Sequence, residues 1–478
     1  MNYKLMLRTL GRTLQLEALC LLLPLVVCLI YREDPKPFLY TIGLVGLLGS
    51  LLVRLRARPD FFSREGFAVV GLIWVFLSLF GALPFWFSGE FASFADCFFE
   101  IVSGFTSSGA SILTEVESLP RGILFWRSFS SWIGGMGVLI FTLAFLPKVG
   151  GRTQVLVQAE ATGPVSNKLV PKTALSARIL YLIYISLTLL EILALCLAGM
   201  PFYDAVVNTF ATVCTGGFSV RNLSIASYGL PACEVIITVF MLLCSLNFAV
   251  FFLVLTGRLR QALGSDELRF FLLAVALSSA IVFFNVLPLY ESAGHALRDT
   301  LFQVSSVVST TGFSTADFAL WPTTSQVVLT ALMFTGACAG STSGGIKISR
   351  ITLLAKSLHR EMNRLIHPNH ISVIKSEGRP VDERVISSAS VFFVSFILVW
   401  LAGTLVVSWD NLGFTESFTA SLTCISNVGP GLGMLGPEEN FSILSHVSKL
   451  VLSLLMLMGR LELMPILVLL RPSVWKER

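Results

Sequence analysis

The sequence predicts an all-α integral membrane protein, with four pseudo-repeats of helix, re-entrant helix, glycine-bearing loop and returning helix around one central axis. Two further transmembrane helices precede them. Three observations lead there. Of 478 residues, 54% are hydrophobic and 13% charged, and the mean hydropathy is +0.79, too little charge for the water-exposed surface of a soluble domain. Apolar stretches of roughly 18 to 25 residues, enough to cross about 30 Å of hydrocarbon as helices, recur from Leu14 to the end. Between them, four short Ser/Thr/Gly segments stand in one frame.

In chain order, residues 1–65 hold the two additional spans, Leu14–Tyr31 and Phe38–Val53. No small-residue cleavage site follows the first and a second apolar run comes at once, so it is read as a retained span and not a signal peptide. The repeats then occupy 66–148, 149–257, 258–350 and, with a cytoplasmic linker, 351–478. Their outward helices are expected at Gly66–Trp86, Leu180–Met200, Phe270–Tyr290 and Ser387–Trp409, and their returning helices at Ile123–Leu146, Val235–Leu255, Val327–Ser349 and Leu450–Leu470. That makes ten full crossings and four half-helices, with both termini on one side.

The repeat rests on four segments that align without gaps: Phe105-Thr-Ser-Ser-Gly109, Val213-Cys-Thr-Gly-Gly217, Val308-Ser-Thr-Thr-Gly312 and Ile425-Ser-Asn-Val-Gly429. One such segment alone would be read as a helix C-cap and tight turn. However, an acid stands thirteen positions before every one of these glycines (Asp96, Asp204, Asp299 and Glu416), although the chain has only 29 acidic residues. The mostly apolar stretch between acid and glycine gives about three helical turns, too short to span. Each acid is placed at the outer N-terminus of a re-entrant helix, where it caps the helix, is favoured by its dipole and attracts cations.

Non-helical backbone at membrane depth is tolerated where it lines a water-filled path or is buried in protein. Four such loops around an axis make a central pore. Glycine admits the φ values that turn successive carbonyls inward, where they replace the water shell of an alkali cation. The expected chemistry is coordination and conduction. The five histidines form no H-E-x-x-H motif, no G-x-S-x-G nucleophile context stands out, and no enzyme is read here. The nine cysteines lack metal-ligand spacing and read as buried small residues.

The net charge of +5 sorts by topology and does not point to nucleic acid. Basic clusters at Lys4/Arg8/Arg12, Arg54 to Arg64, Lys148 to Arg178, Arg258 to Arg269, Lys347 to Arg384 and Arg471 to Arg478 fall in alternate loops. By the positive-inside rule those loops and both termini are cytoplasmic.

These features resemble the Trk/Ktr/HKT superfamily of K⁺ transporters, in its TrkH/TrkG type with two extra N-terminal spans. The resemblance covers essentially the whole chain. It is carried by the four segments, by Trp132-Ile-Gly-Gly-Met-Gly137, by Ala337-Cys-Ala-Gly-Ser-Thr-Ser-Gly-Gly-Ile-Lys347 and by Gly459-Arg-Leu-Glu-Leu463. It implies K⁺ uptake across the bacterial inner membrane, with K⁺ as transported ion. It also implies a filter of Gly109, Gly217, Gly312 and Gly429 with the carbonyls of Ser107, Ser108, Thr215, Gly216, Thr310, Thr311, Asn427 and Val428. The first loop has Ser107-Ser108 where that family frequently has threonine.

The run Gly336 to Gly345 is too rich in glycine for a continuous helix. The resemblance makes it an intramembrane gate loop, Gly340, Ser341, Thr342, Ser343, Gly344, Gly345 and Lys347. Small-residue helix packing is the other reading. Arg460, mid-membrane, must face a pore or a polar partner. The resemblance makes it a pore-facing part of the gate, and the alternative is structural glue that pairs with Glu462 or caps freed carbonyls near Gly340. The chain has no nucleotide motif of its own. The resemblance supplies a homodimer in lipid and a cytosolic nucleotide-binding partner of the TrkA kind, docked on the loops Lys347 to Arg384 and Lys148 to Arg178. A secondary transporter that alternates access remains the other function class, with the glycine segments as broken-helix sites.

Overall fold

The computed structural model describes residues 3–56, 63–137, 173–367 and 373–475. The expected basic loop Lys148 to Arg178 lies mostly outside them, as does the end of the first expected returning helix. The first span begins at Tyr3, well before Leu14, and runs as Tyr3–Cys20 and Leu22–Tyr31. Pro24 interrupts it: its ring excludes the carbonyl four residues back and it has no N–H to donate. Lys36–Val53 returns antiparallel against the first half, where Gly11 and Gly49 bring the two backbones together. The loop between the two spans carries Glu33, which accepts the backbone N–H groups of Arg121 (2.7 Å) and Gly122 (2.9 Å). That caps the first returning helix and anchors the leading pair to the rest.

The outward helices are Ser63–Gly81 with Leu83–Ser88, Thr173–Leu197, Asp266–Val286 and Glu383–Val407. Leu190, Leu193, Leu272, Leu277, Leu398 and Leu405 are exposed on the last three, apolar side chains suited to lipid. Trp409 and Phe414 lie exposed where the last of them passes into the next short helix, the kind of aromatic pair that suits a lipid–water boundary. Four shorter helices follow them: Phe94–Phe105, Phe202–Val213, Ala293–Val308 and Phe414–Ser426. At 12, 12, 16 and 13 residues none can cross a bilayer.

The returning helices depart from expectation. Among the described residues six helices are long and apolar enough to cross a membrane, or seven if one bent pair counts as a span. The second, third and fourth returning helices break part-way, and the first ends at Gly135 within the described residues. The first, Arg121–Gly135, passes into a turn at Met136 and Gly137; the second, Pro231–Cys244, bends by 93° into Phe248–Leu255. The third, Thr323–Thr335, gives way to a loop and then to the amphipathic helix Ile348–Ile366. The fourth, His446–Arg460, turns through Glu462 and Leu463, both at positive φ, into Met464–Leu470.

Glycines stand at three of these helix ends, Gly134 to Gly137, Gly336 and Gly459; the bend at Ser245 to Asn247 has none. Gly134 lies on the Phe105 carbonyl and Gly459 on that of Ile425, so closely that a methyl group would overlap either oxygen. Two of the four returning helices therefore rest, backbone on backbone, on the C-terminal ends of the short helices. We expect Gly459→Ala to destabilise the protein by about 1 to 3 kcal/mol through overpacking, seen as a lower unfolding temperature in detergent. Gly43→Ala, where a methyl group meets nothing within 4 Å, should leave it unchanged.

Candidate functional site

All four short helices end in the same way. In each, the residue two before the glycine takes a left-handed conformation: Ser107 (φ 54°), Thr215 (57°), Thr310 (59°) and Asn427 (55°). Its N–H donates three residues back and the next N–H five residues back. For the first helix these bonds are Ser107 N to Gly104 O and Ser108 N to Ser103 O, both 2.8 Å, and the same pair recurs at Thr215/Gly216, Thr310/Thr311 and Asn427/Val428. That is the Schellman ending. The C-cap reading thus holds for every segment, and it is also the device that turns the chain off the helix. A β-branched residue at positive φ is costly, and Thr215 and Thr310 store that strain at the site.

The four exits then meet head to tail. A methyl group on Gly109 would stand 2.6 Å from Gly216 O, and one on Gly429 2.8 Å from Ser108 O. One on Gly217 would fall closer still to Thr311 O, and one on Gly312 closer to Val428 O. First touches second, second third, third fourth and fourth first, so the four segments close a ring. The carbonyl just before each glycine projects onto a neighbouring segment's glycine. All four glycines border one outer cavity of about 110 Å³.

The side chains of the left-handed residues mostly serve the scaffold. Ser107 Oγ donates to Ser131 O (3.4 Å), Asn427 Nδ2 to Met456 O (3.0 Å), and Thr310 Oγ1 accepts from Gly344 N (2.7 Å). The backbone network gives the carbonyls of residues 107, 108, 215, 216, 310, 311, 427 and 428 no N–H partner among the described residues. Buried carbonyls in that state suit a desolvated cation.

The acids behave differently from expectation. Asp96, Asp204 and Glu416 lie in the first turns of their helices, but Asp299 lies more than a turn inside Ala293–Val308. None caps its helix: Ser93 Oγ accepts from Asp96 N, and Pro201, Ser292 and Gly413 occupy the other cap positions. Asp96 instead pairs with buried Lys449 of the fourth returning helix (2.7 Å), Asp204 accepts from Tyr228 OH (2.9 Å), and Asp299 accepts from Thr315 Oγ1 (3.2 Å). They tie the short helices to their surroundings.

Below the ring the chain leaves the helix at Gly336 and passes through Gly340 to Lys347. This loop touches the ring's underside. Gly344 packs on the Ser426 carbonyl, and Thr342 Oγ1 donates to Val213 O (3.2 Å) or Cys244 O (3.3 Å). Ser341 Oγ donates to Cys338 O (2.6 Å) and lies 2.7 Å from Ser343 Oγ. Lys347 Nζ donates to Ser343 O. Gly345 packs against Gly336, and Gly340 O accepts from Phe248 N (3.1 Å), the restart of the second returning helix. Arg460 bridges loop and helix, donating to Thr342 O (2.6 Å), Gly134 O (2.7 Å) and Gly135 O. It caps the freed carbonyls of the first returning helix, not those near Gly340 alone, while Glu462 pairs with Arg350. The structure therefore brings the loop against the second, third and fourth segments, through Val213, Thr310 and Ser426, and the arginine against the loop and the first returning helix.

Sequence reasoning missed Lys449 and Glu267, whose carboxylate accepts the Ala339 N–H (2.6 Å) and holds the loop's start. Each is a charge at the end of an apolar stretch, which reads in sequence as a solvated flank. Among the described residues no group of acids, histidines and cysteines could hold a metal, and all nine cysteines are free.

Breaking the buried Asp96–Lys449 pair from one side should be severe. Lys449→Met is expected to cost about 3 to 5 kcal/mol, and Asp96→Asn with Lys449→Met less than the single change. Thermal unfolding of purified single and double variants measures this.

The chain is similar to known proteins over its whole length. A family model described as TrkH, cation transport protein, matches residues 39–477. The chain is 37% identical over 487 residues, covering 100% of both sequences, to the Trk system potassium uptake protein TrkH of Salmonella typhimurium. It is 34% identical to TrkG of Escherichia coli strain K12 over 98% of this chain and 97% of that one. The crystal structure of the potassium transporter TrkH from Vibrio parahaemolyticus superposes with a TM-score of 0.90 at 33% identity, over 100% of each chain.

Proposed function

Because the chain belongs to the TrkH family of cation transport proteins, whose members are transporters and not enzymes, we propose that it takes up K⁺ across the bacterial inner membrane through its ring of four glycine segments. The observation that carries this reading is the head-to-tail closure at Gly109–Gly216, Gly217–Thr311, Gly312–Val428 and Gly429–Ser108. In this reading the carbonyls of Ser107, Ser108, Thr215, Gly216, Thr310, Thr311, Asn427 and Val428 coordinate K⁺, and the four pseudo-repeats, with the boundaries expected from sequence, surround one pore. Each short helix directs its C-terminal partial negative charge at the ring, which favours a cation there.

The loop Gly340 to Lys347 lies under the ring and, with Arg460, closes the path from inside. Its hydrogen bonds to Thr310, Val213 and Arg460 must open for an ion to pass. Both termini are cytoplasmic, the protein works as a dimer, and a nucleotide-binding partner of the TrkA kind controls the loop from the basic cytoplasmic face. An alternating-access mechanism would require two halves that move against each other, and a closed ring of backbone contacts opposes that motion.

Two measurements bear on this. In liposomes, ⁸⁶Rb⁺ uptake by the native chain should be inhibited far better by K⁺ than by Na⁺, and Gly109→Ser, which puts a side chain 2.6 Å from Gly216 O at a φ of 79°, should erode the difference. Absence of cation flux, alone or with the nucleotide-binding partner, would move alternating access to the front. Arg460→Ala should raise resting flux at normal expression, because it removes the bonds from helix to loop. Unchanged flux in a folded variant would assign Arg460 to structure alone.

A further inference from the structure

One buried ion pair stands beside the ring and belongs neither to the coordinating segments nor to the loop below. Glu100 lies one turn before the end of the first short helix, nine residues ahead of Gly109, and is fully buried. Its Oε1 accepts from Arg127 Nε (2.6 Å) and from Ser111 Oγ (2.9 Å), and its Oε2 from the Ile112 N–H (2.9 Å). Arg127, on the first returning helix, is 4% exposed. Its Nη1 donates to Ser219 O (2.9 Å), and its guanidinium lies 3.6 Å from the centre of the Phe218 ring.

Ser111 and Ile112 follow Gly109 as the first segment leaves the ring, and Phe218 and Ser219 follow Gly217 as the second does. A single charge pair thus grips the outer exits of two adjacent segments. Arg127 also borders the outer cavity that the four glycines share.

The third and fourth exits are held without an arginine, the third partly through the Asp299 carboxylate on Thr315 Oγ1. The positions equivalent to Glu100, nine before each glycine, are Asn208, Gln303 and Ala420. Gln303 Nε2 donates to Ala316 O (2.9 Å), a neutral version of the same tether. At the fourth exit Thr419 Oγ1 accepts from Leu432 N (3.0 Å).

We propose that Arg127 is a positioning residue for ion discrimination: held by Glu100, it fixes the exit of the first segment against that of the second and so sets the width of the ring on that side. The inference rests on the reading of the ring as a K⁺ filter. Its chemistry requires arginine, because only the planar fork reaches a carboxylate through Nε and a second segment's carbonyl through Nη1 at once. It also requires Glu100, which neutralises a cation at the mouth of a cation path. Lysine keeps the charge but has one head group, and must release either Glu100 or Ser219.

The test compares inhibition constants of K⁺ and Na⁺ for ⁸⁶Rb⁺ uptake in liposomes holding the native chain, Arg127→Lys or Arg127→Gln, with the folded amount of each set by size exclusion and thermal unfolding. A purely structural role would lower the folded amount and the maximal rate but leave the ratio of constants unchanged. We expect Arg127→Lys to fold and to lower the K⁺-over-Na⁺ ratio by about five-fold or more, and Arg127→Gln to lower it further when folded. A folded Arg127→Lys with the native ratio overturns the inference while leaving the filter reading in place. Two variants that cannot be obtained folded overturn it as well, by assigning the pair to assembly. A native chain without K⁺ preference removes the filter reading itself.

Discussion

A side chain at Gly109, Gly217, Gly312 or Gly429 would meet the backbone of the adjacent segment before it met anything that could move aside, because the atom it strikes is a carbonyl oxygen or carbon. The rest of the structure depends on this contact. Four chain segments can approach one axis closely enough to surround a single dehydrated ion only if their closest residues carry no Cβ. The positive φ values of the same four residues add a second reason for glycine, but the neighbouring carbonyl is the stricter one. It explains why the ring tolerates Ser, Thr, Asn, Gly and Val one or two residues earlier, yet has glycine at this one position in every segment.

The surrounding elements follow from holding such a ring at membrane depth. Short helices deliver the segments, and identical Schellman endings give all four the same direction of exit. The returning helices must come close beneath, and two of them do so through Gly134 and Gly459, which seat them on the short helices' C-terminal ends. Their own continuity ends there, leaving carbonyls without a partner in the helix. Arg460 satisfies carbonyls from one such end and from the loop below with one planar head group. The arginine that stands near the end of an apolar helix is thereby accounted for in hydrogen bonds before any gating role is assigned to it.

Much of this was legible in the sequence, for reasons that can be named. The four glycines and their upstream acids recur at a fixed offset, so the number of short helices and where each one ends could be read from spacing, although the third begins at Ala293, six residues before its acid. The run from Gly336 to Gly345 announced a break, and the chain leaves its helix at Gly336. What could not be read was tertiary. Ten full crossings were expected because stretches such as Ile123–Leu146 and Leu450–Leu470 are predominantly apolar, and hydropathy does not register a break made by backbone contact with another element. The acids were read as local caps because a capping position is a one-dimensional idea; Asp96 meets Lys449, 353 residues away. The pairs Glu100–Arg127 and Glu267–Ala339 have the same character, each joining a charge near an apolar segment to a partner that only the fold reveals.

The central claim is that the carbonyls of Ser108, Gly216, Thr311 and Val428 converge on one cation. Crystals of the protein grown in Rb⁺, with anomalous diffraction collected at the rubidium edge, test it most directly. The account predicts an anomalous peak on the axis between those four oxygens, diminished when K⁺ replaces Rb⁺ but retained when Na⁺ is added. A ring without anomalous density, with rubidium bound elsewhere in the chain, would contradict it.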